Sequence, residues 1–227
     1  LVWLWLGGRG SGKTRLAAEW TREIKDKVGR IALVAPTAAD ARDVMVEGES
    51  GLLAVAPPWD QPTYEPSKRR VTWRNGAMAT LYSADEPDRL RGPSHGAAWC
   101  DELAAWRYCR DAWDNLMLGL RIGAHPSVVV TTTPRPITLL RELVKAKTTH
   151  VSRGTTFDNL ANLAPSFAAN VLSRYEGTTL GRQELYAELL DELPGALWTR
   201  AMLDANRVIQ APDLLRVVVA IDPAVTS

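Results

Sequence analysis

The sequence has little of what marks a secreted, membrane-spanning or metal-stapled protein. Two cysteines, Cys100 and Cys109, occur among 227 residues; they are too few for a disulfide framework, and no C-x-x-C pair suggests zinc. A reducing cytoplasm fits that usage. Histidine is scarce too, and His95, His125 and His150 lack ligand-like spacing, so they form no metal set. No apolar run approaches the roughly 20 residues that cross a bilayer. The opening LVWLWL has six residues before Gly7, without the basic flank and cleavage site of a signal peptide. It reads as a buried strand. Neither charge is in excess: 27 Lys and Arg stand against 26 acids, a formal net charge of +1. Contact with nucleic acid must therefore come from a local patch and not from a global field. Repeats and low-complexity stretches are missing as well. What is present is a globular balance, 46% hydrophobic and 23% charged, in a length that suits one large domain or one domain plus a fragment.

The chain has no initiator Met and begins inside an apolar strand, so natural sequence is expected upstream. Residues 216–227, RVVVAIDPAVTS, read as a strand ending in an Asp with nothing to pair it. More sequence is expected beyond it, since a lone terminal strand cannot bury both faces.

Apolar runs alternate with helical periodicity through residues 1–153, the pattern of a mostly parallel sheet flanked by helices. Strands are expected at 2–6, 31–37, 97–102 and 127–134, with helices at 14–27, 38–47, 103–120 and 136–147. A stretch with Pro57, Pro58, Pro62 and Pro66 reads as a surface excursion. Asn75-Gly76, between two alternating runs, signals a hairpin. After Arg153 the pattern changes: GTTFDNLANLAP is loop-like, and residues 166–175 and 180–190 are amphipathic helices with no strand between them. This predicts a small helical linker subdomain over 154–212, with 213–227 opening something else.

Gly7-Gly8-Arg9-Gly10-Ser11-Gly12-Lys13-Thr14 fits G-x-x-x-x-G-K-S/T and sits after a strand and before a helix, the context the phosphate-binding mechanism requires. Small residues let backbone N–H groups turn around phosphates, and a helix N-terminus favours negative charge there. Lys13 is expected on the β- and γ-phosphates and Thr14 on Mg²⁺. Ala97-Ala98-Trp99-Cys100-Asp101-Glu102 delivers two carboxylates to the edge of the sheet where open α/β sheets bind ligands. Asp101 is expected in the Mg²⁺ shell and Glu102 on the attacking water. Taken alone, the pair would equally be dipole compensation at a helix start. Thr131-Thr132-Thr133 ends a third buried strand, so parallel geometry would set its hydroxyls, Thr133 above all, beside the γ-phosphate and Glu102.

These three motifs in this order, with GTTFDNLANLAPSF, YEGTTLGRQELYAELL, PGALWTRA and VVVAIDPAVTS after them, resemble the large terminase subunit, the DNA-packaging ATPase and nuclease of tailed bacteriophages and gene transfer agents. The resemblance implies a P-loop ATPase core at 1–153, the linker at 154–212 and, at 213–227, the first strand of a truncated RNase H-like nuclease. It implies ATP and Mg²⁺ as cofactors, with Asp222 as the first acid of a two-ion Mg²⁺ or Mn²⁺ nuclease centre whose other acids lie beyond Ser227. It further implies duplex DNA, portal protein and the small terminase subunit as partners. A homo-oligomeric ring would work at the portal vertex of the capsid, in the host cytoplasm and away from any membrane. Two arginines compete to stabilise the transferring phosphoryl group: Arg9 from within the loop, or Arg91, which the resemblance favours, from a neighbouring subunit. Lys68, Arg69, Arg70, Arg107 and Arg110 offer charge to DNA phosphates, although a solvated face is the simpler reading of each. Two other classes share features with the sequence. A superfamily 2 type helicase would need a second RecA-like domain, for which the residues after Arg153 are too few. A non-hydrolysing nucleotide-gated adaptor sits poorly with Lys13, Thr14, Asp101 and Glu102 together.

Overall fold

The computed structural model describes residues 1–175, 178–190, 198, 200–208, 216 and 218. The chain divides into two compact units, Leu1–Asp191 and Glu192–Ser227. The first is built on an eight-stranded sheet: β1 (Val2–Gly7), β2 (Arg30–Ala35), β3 (Thr63–Glu65), β4 (Arg70–Thr72), β5 (Met78–Ser83), β6 (Ala97–Asp101), β7 (Ser127–Thr132) and β8 (Thr149–Gly154). Its order is β3-β4-β5-β2-β6-β7-β1-β8. Six of these strands run parallel, and β3 and β4 pair antiparallel at one edge. The helices of this unit are α1 (Lys13–Val28), α2 (Ala38–Asp40, continuing as a π-helical turn over Ala41–Val46), α3 (Leu52–Val55), α4 (Cys109–Gly119), α5 (Thr138–Lys145), α6 (Pro165–Tyr175) and α7 (Thr179–Glu184). In the second unit, α8 spans Arg200–Ala205.

The apolar runs become central strands because both faces of the sheet are covered. Alternate residues of β2 divide between two cores: Ala32 and Val34 pack with Leu4, Leu6, Trp113, Leu116 and Leu140, while Ile31, Leu33 and Ala35 pack with Ala17, Ala18, Met45 and Leu52. Each large side chain buried this way contributes about 1.5–3 kcal/mol. Thr37 and Asp40 close a capping box that starts α2. The proline-rich excursion is tied down, since buried Lys25 Nζ lies 3.3 Å from Asp60. The hairpin stands where Asn75-Gly76 places it: Gly76 takes φ 85° and its N–H bonds Trp73 O at 3.0 Å.

Four features differ from the sequence expectation. Strand β8 is new; its residues are polar because it is an edge strand, paired only with β1, and Ser152 accepts a hydrogen bond from Trp3 Nε1 at 3.0 Å. Strand β3 is a second short edge inside the excursion. The expected helix over 103–120 is broken into a 3₁₀ turn, Leu103–Ala105, and α4. Trp106 there is drawn back by a 2.9 Å bond from Nε1 to Asp101 O. Helix α7 stops at Glu184, and Ala187 takes a left-handed φ of 54°. Residues 213–215, 217 and 219–227, including Asp222, lie outside the described residues.

Candidate active site

Strand order creates the site. β7 lies between β1 and β6, so its exit separates the phosphate loop from the acid pair. Parallel register sets Asp101 beside Thr131 and Leu6 beside Thr132. The next residue on each chain, Glu102, Gly7 or Thr133, therefore emerges at the same edge.

The loop after β1 uses glycine where backbone geometry demands it: Gly10 and Gly12 take φ 73° and 87°. Among the described residues, the N–H groups of Gly10, Gly12, Lys13 and Thr14 donate to no protein atom. Ser11 Oγ is buried without a partner. Donors left over at a helix start are free to take water or an anion. They form a cradle that fits a polyphosphate. Lys13 Nζ donates to Gly7 O and Gly8 O, both at 3.1 Å, and to Thr133 Oγ1 at 3.2 Å, and it lies 3.4 Å from Glu102 Oε1.

The adjacent carboxylates are separated by one backbone turn. Glu102 adopts a left-handed φ of 46°, unusual for a residue with a side chain and worth about 1–3 kcal/mol of strain. Asp101 is consequently 4% exposed, whereas the Glu102 side chain is 35% exposed. Thr133 N–H holds Glu102 Oε2 at 3.1 Å. Thr131 Oγ1 donates to Asp101 Oδ1 at 2.7 Å and accepts from Trp99 Nε1 at 3.0 Å. Burial pushes the Asp101 carboxyl up to about 6 despite the Thr131 bond that opposes it, with Glu102 adding to the rise. A buried carboxylate oxygen so placed is a donor suited to a hard cation.

Lys13, Asp101, Glu102 and Thr133 are thus brought together, and Thr14 follows Lys13 in the first turn of α1. Arg9 and Arg91 are not. Both are exposed; Arg9 is held through its backbone, donating to Glu184 O at 2.6 Å, and Arg91 closes the 3₁₀ turn Pro87–Leu90. Of the basic residues considered for DNA, Lys68, Arg69 and Arg110 pair with Glu65, Glu86 and Glu142, and Arg107 stacks on Tyr108. Arg70 is half-buried, with Nε unpartnered.

Sequence reasoning missed the segment that grips the loop from the far side. Thr156 Oγ1 donates to Arg9 O at 2.6 Å and Asn159 Nδ2 to Gly10 O at 2.7 Å. Gly8 is needed for this contact, because a Cβ there would lie 2.7 Å from Glu184 O and Leu185 O. The T-T-x-D-N spacing was the available signal.

The sequence matches the family described as terminase large subunit, T4likevirus-type, N-terminal, over residues 4–205. No curated protein matches. Among solved structures, the chain is similar to the large terminase ATPase domain of Thermus phage P74-26, at 18% identity and TM-score 0.59, covering 83% of this chain and 88% of that one. It is also similar to the large terminase of a thermophilic bacteriophage in complex with ADP, at 15% identity and TM-score 0.67, over 83% of this chain and 48% of that one. The same thermophilic phage's terminase in complex with ATP-gamma-S matches at 14% identity and TM-score 0.64, over 83% and 47%. The chain spans about half the length of that nucleotide-bound terminase. The structural likeness establishes the fold, that of large-terminase ATPase domains, and the family match covers most of the sequence: the chain belongs to the large terminase subunit family of T4-like-virus type and carries that family's N-terminal region.

Proposed function

We propose that the chain hydrolyses ATP and that assembled subunits use the energy to translocate duplex DNA into a capsid. The observation that carries this reading is the convergence of Lys13, Glu102 and Thr133 on one edge of the sheet, beside a cradle of unpartnered N–H groups. Lys13 would hold the β- and γ-phosphates, leaving the loop carbonyls it bonds here. Glu102, half-buried and oriented by Thr133 N–H, would position the attacking water. Thr14 and Asp101 would hold Mg²⁺, which when bound draws charge from the phosphoryl oxygens. Thr133 touches both Lys13 and Glu102, so it is placed to relay the state of one to the other.

Arg91, exposed, would reach a neighbouring subunit's nucleotide in a homo-oligomeric ring, and Arg9, exposed as well, is the competing candidate from within the loop. Family membership supports the portal protein and the small terminase subunit as partners, at the portal vertex in the host cytoplasm. It also supports a nuclease in a longer protein, where Asp222 and further acids would bind Mg²⁺ or Mn²⁺. Glu102→Gln should bind Mg-ATP like the parent yet lose roughly 10²–10⁴ in turnover. Parental turnover in purified Glu102→Gln would remove the glutamate from the mechanism.

A further inference from the structure

We infer that Thr156 and Asn159 are positioning residues for nucleotide: they hold two consecutive peptide planes of the phosphate loop, the first so that the Gly10 N–H faces the phosphates and the second so that the Ser11 N–H closes the turn that presents it. The inference rests on the proposed ATP site. In a trans peptide, the C=O of one residue and the N–H of the next point to opposite sides, and the described chain has no cis bond. Thr156 Oγ1 bonds the carbonyl of Arg9 at 2.6 Å, which turns the N–H of Gly10 to the opposite side, where no protein atom accepts it. Asn159 Nδ2 bonds the carbonyl of Gly10 at 2.7 Å, which fixes the following N–H, that of Ser11, on Gly8 O at 3.2 Å and closes the turn.

The local fold builds this clasp. Thr155 Oγ1 and N–H both donate to Asp158 Oδ2, at 2.8 and 2.7 Å, and Asp158 N–H returns a bond to Thr155 Oγ1 at 3.2 Å. That reciprocal pair starts the 3₁₀ helix Phe157–Asn162. In a 3₁₀ turn, side chains three residues apart eclipse. Thr156 and Asn159 therefore share a side, and it is the side that meets the loop. Thr156 is 1% exposed and its own N–H is anchored to Leu185 O at 2.9 Å. Leu163, one turn further, contacts the position a Cβ on Gly10 would take, at 3.0 Å. The phosphate loop is thus shaped by residues almost 150 positions away, and the backbone alone does not hold it.

The test compares the parent with Thr156→Val and Thr156→Ser by Mg-ADP titration calorimetry, and by amide hydrogen exchange of residues 8–12 without nucleotide. Removing the hydroxyl leaves the half-buried Arg9 carbonyl without its partner and the Gly10 N–H without its orientation, so Thr156→Val should bind Mg-ADP about tenfold more weakly. Its Gly10 and Ser11 amides should exchange faster than the parent's. Thr156→Ser, which keeps the hydroxyl, should stay within about twofold of the parent. Parental affinity in Thr156→Val, or an equal loss in Thr156→Ser, would overturn the inference. Should Thr156→Val fail to fold, Asn159→Leu reports the same clasp through Ser11 exchange and Mg-ADP affinity, with the same outcomes for and against. A parent that binds no Mg-ADP would instead refute the proposed ATP site, and the exchange comparison would still decide whether the clasp orders the loop.

Discussion

The two ends of the parallel sheet each bury a titratable group, and they treat it differently. At the end where β1, β6 and β7 finish, Asp101 is bonded by Thr131, sits near Lys13 and adjoins the solvent-reaching, half-buried Glu102. At the opposite end, His95 is 4% exposed, its Nε2 has no partner, and its ring lies edge-on to Tyr82 at 5.4 Å. Burial lowers His95 to about 4, helped by the positive charges of Arg30 and Arg121. Burial alone therefore does not make a site. A site needs a buried group that joins a network reaching solvent and a ligand cradle, and only the β1, β6 and β7 end has one.

The largest effect should separate the two exposed arginines. Arg91→Ala should lower hydrolysis by the assembled protein on DNA and portal by about 10³ or more. Blending these subunits with Glu102→Gln subunits should restore part of it, at interfaces that pair an intact Glu102 with an intact Arg91. No recovery across mixing ratios, with assembly confirmed, transfers the role to Arg9.

Next in size is the pH response of the opposite end. Because His95 is held below its unfolded value of 6.5, the unfolded chain binds the proton first as pH falls. Stability should thus decline from pH 6.5 toward 4, by up to about 3 kcal/mol. His95→Phe keeps the ring contact and should flatten that decline in denaturant titrations while leaving ATP turnover at pH 7 unchanged. A decline of parental size in His95→Phe would place the proton elsewhere.

Thr131→Val should cost about 2 kcal/mol, because it strands both the Asp101 carboxyl and Trp99 Nε1. Unlike His95→Phe, it should also depress hydrolysis. Equal turnover in the two variants would erase the distinction between the ends. The smallest effect belongs to the hairpin. Gly76→Ala imposes a Cβ on a φ of 85°, and its unfolding midpoint should report a loss of about 1 kcal/mol with normal nucleotide binding.

Much of the active end is legible in the sequence. The phosphate loop and acid pair are contiguous runs whose flanking strand and helix are written in apolar periodicity, so Lys13, Thr14, Asp101 and Glu102 can be named as candidates from the sequence. Thr133 can be named because a parallel strand with a polar exit has one edge to deliver it to. The division between Asp101 and Glu102 is not legible, since it depends on a left-handed φ at Glu102 that no residue preference announces. Strand β8 escapes a sequence reading because THVSRG carries no alternation strong enough to show; its pairing with β1 supplies the order its side chains do not.

By itself the sequence determined the α/β class, the order of the central elements and the position of the glycine-rich loop between β1 and α1, because periodicity and a glycine-rich turn act over a few residues. Only the tertiary structure decided that β7 separates the loop from the acids, which of the two carboxylates is buried, and that Thr156 and Asn159 hold the loop from behind. Each of these depends on hydrogen bonds between residues far apart in the chain. Such bonds are set by strand order and packing, which no local run of residues encodes.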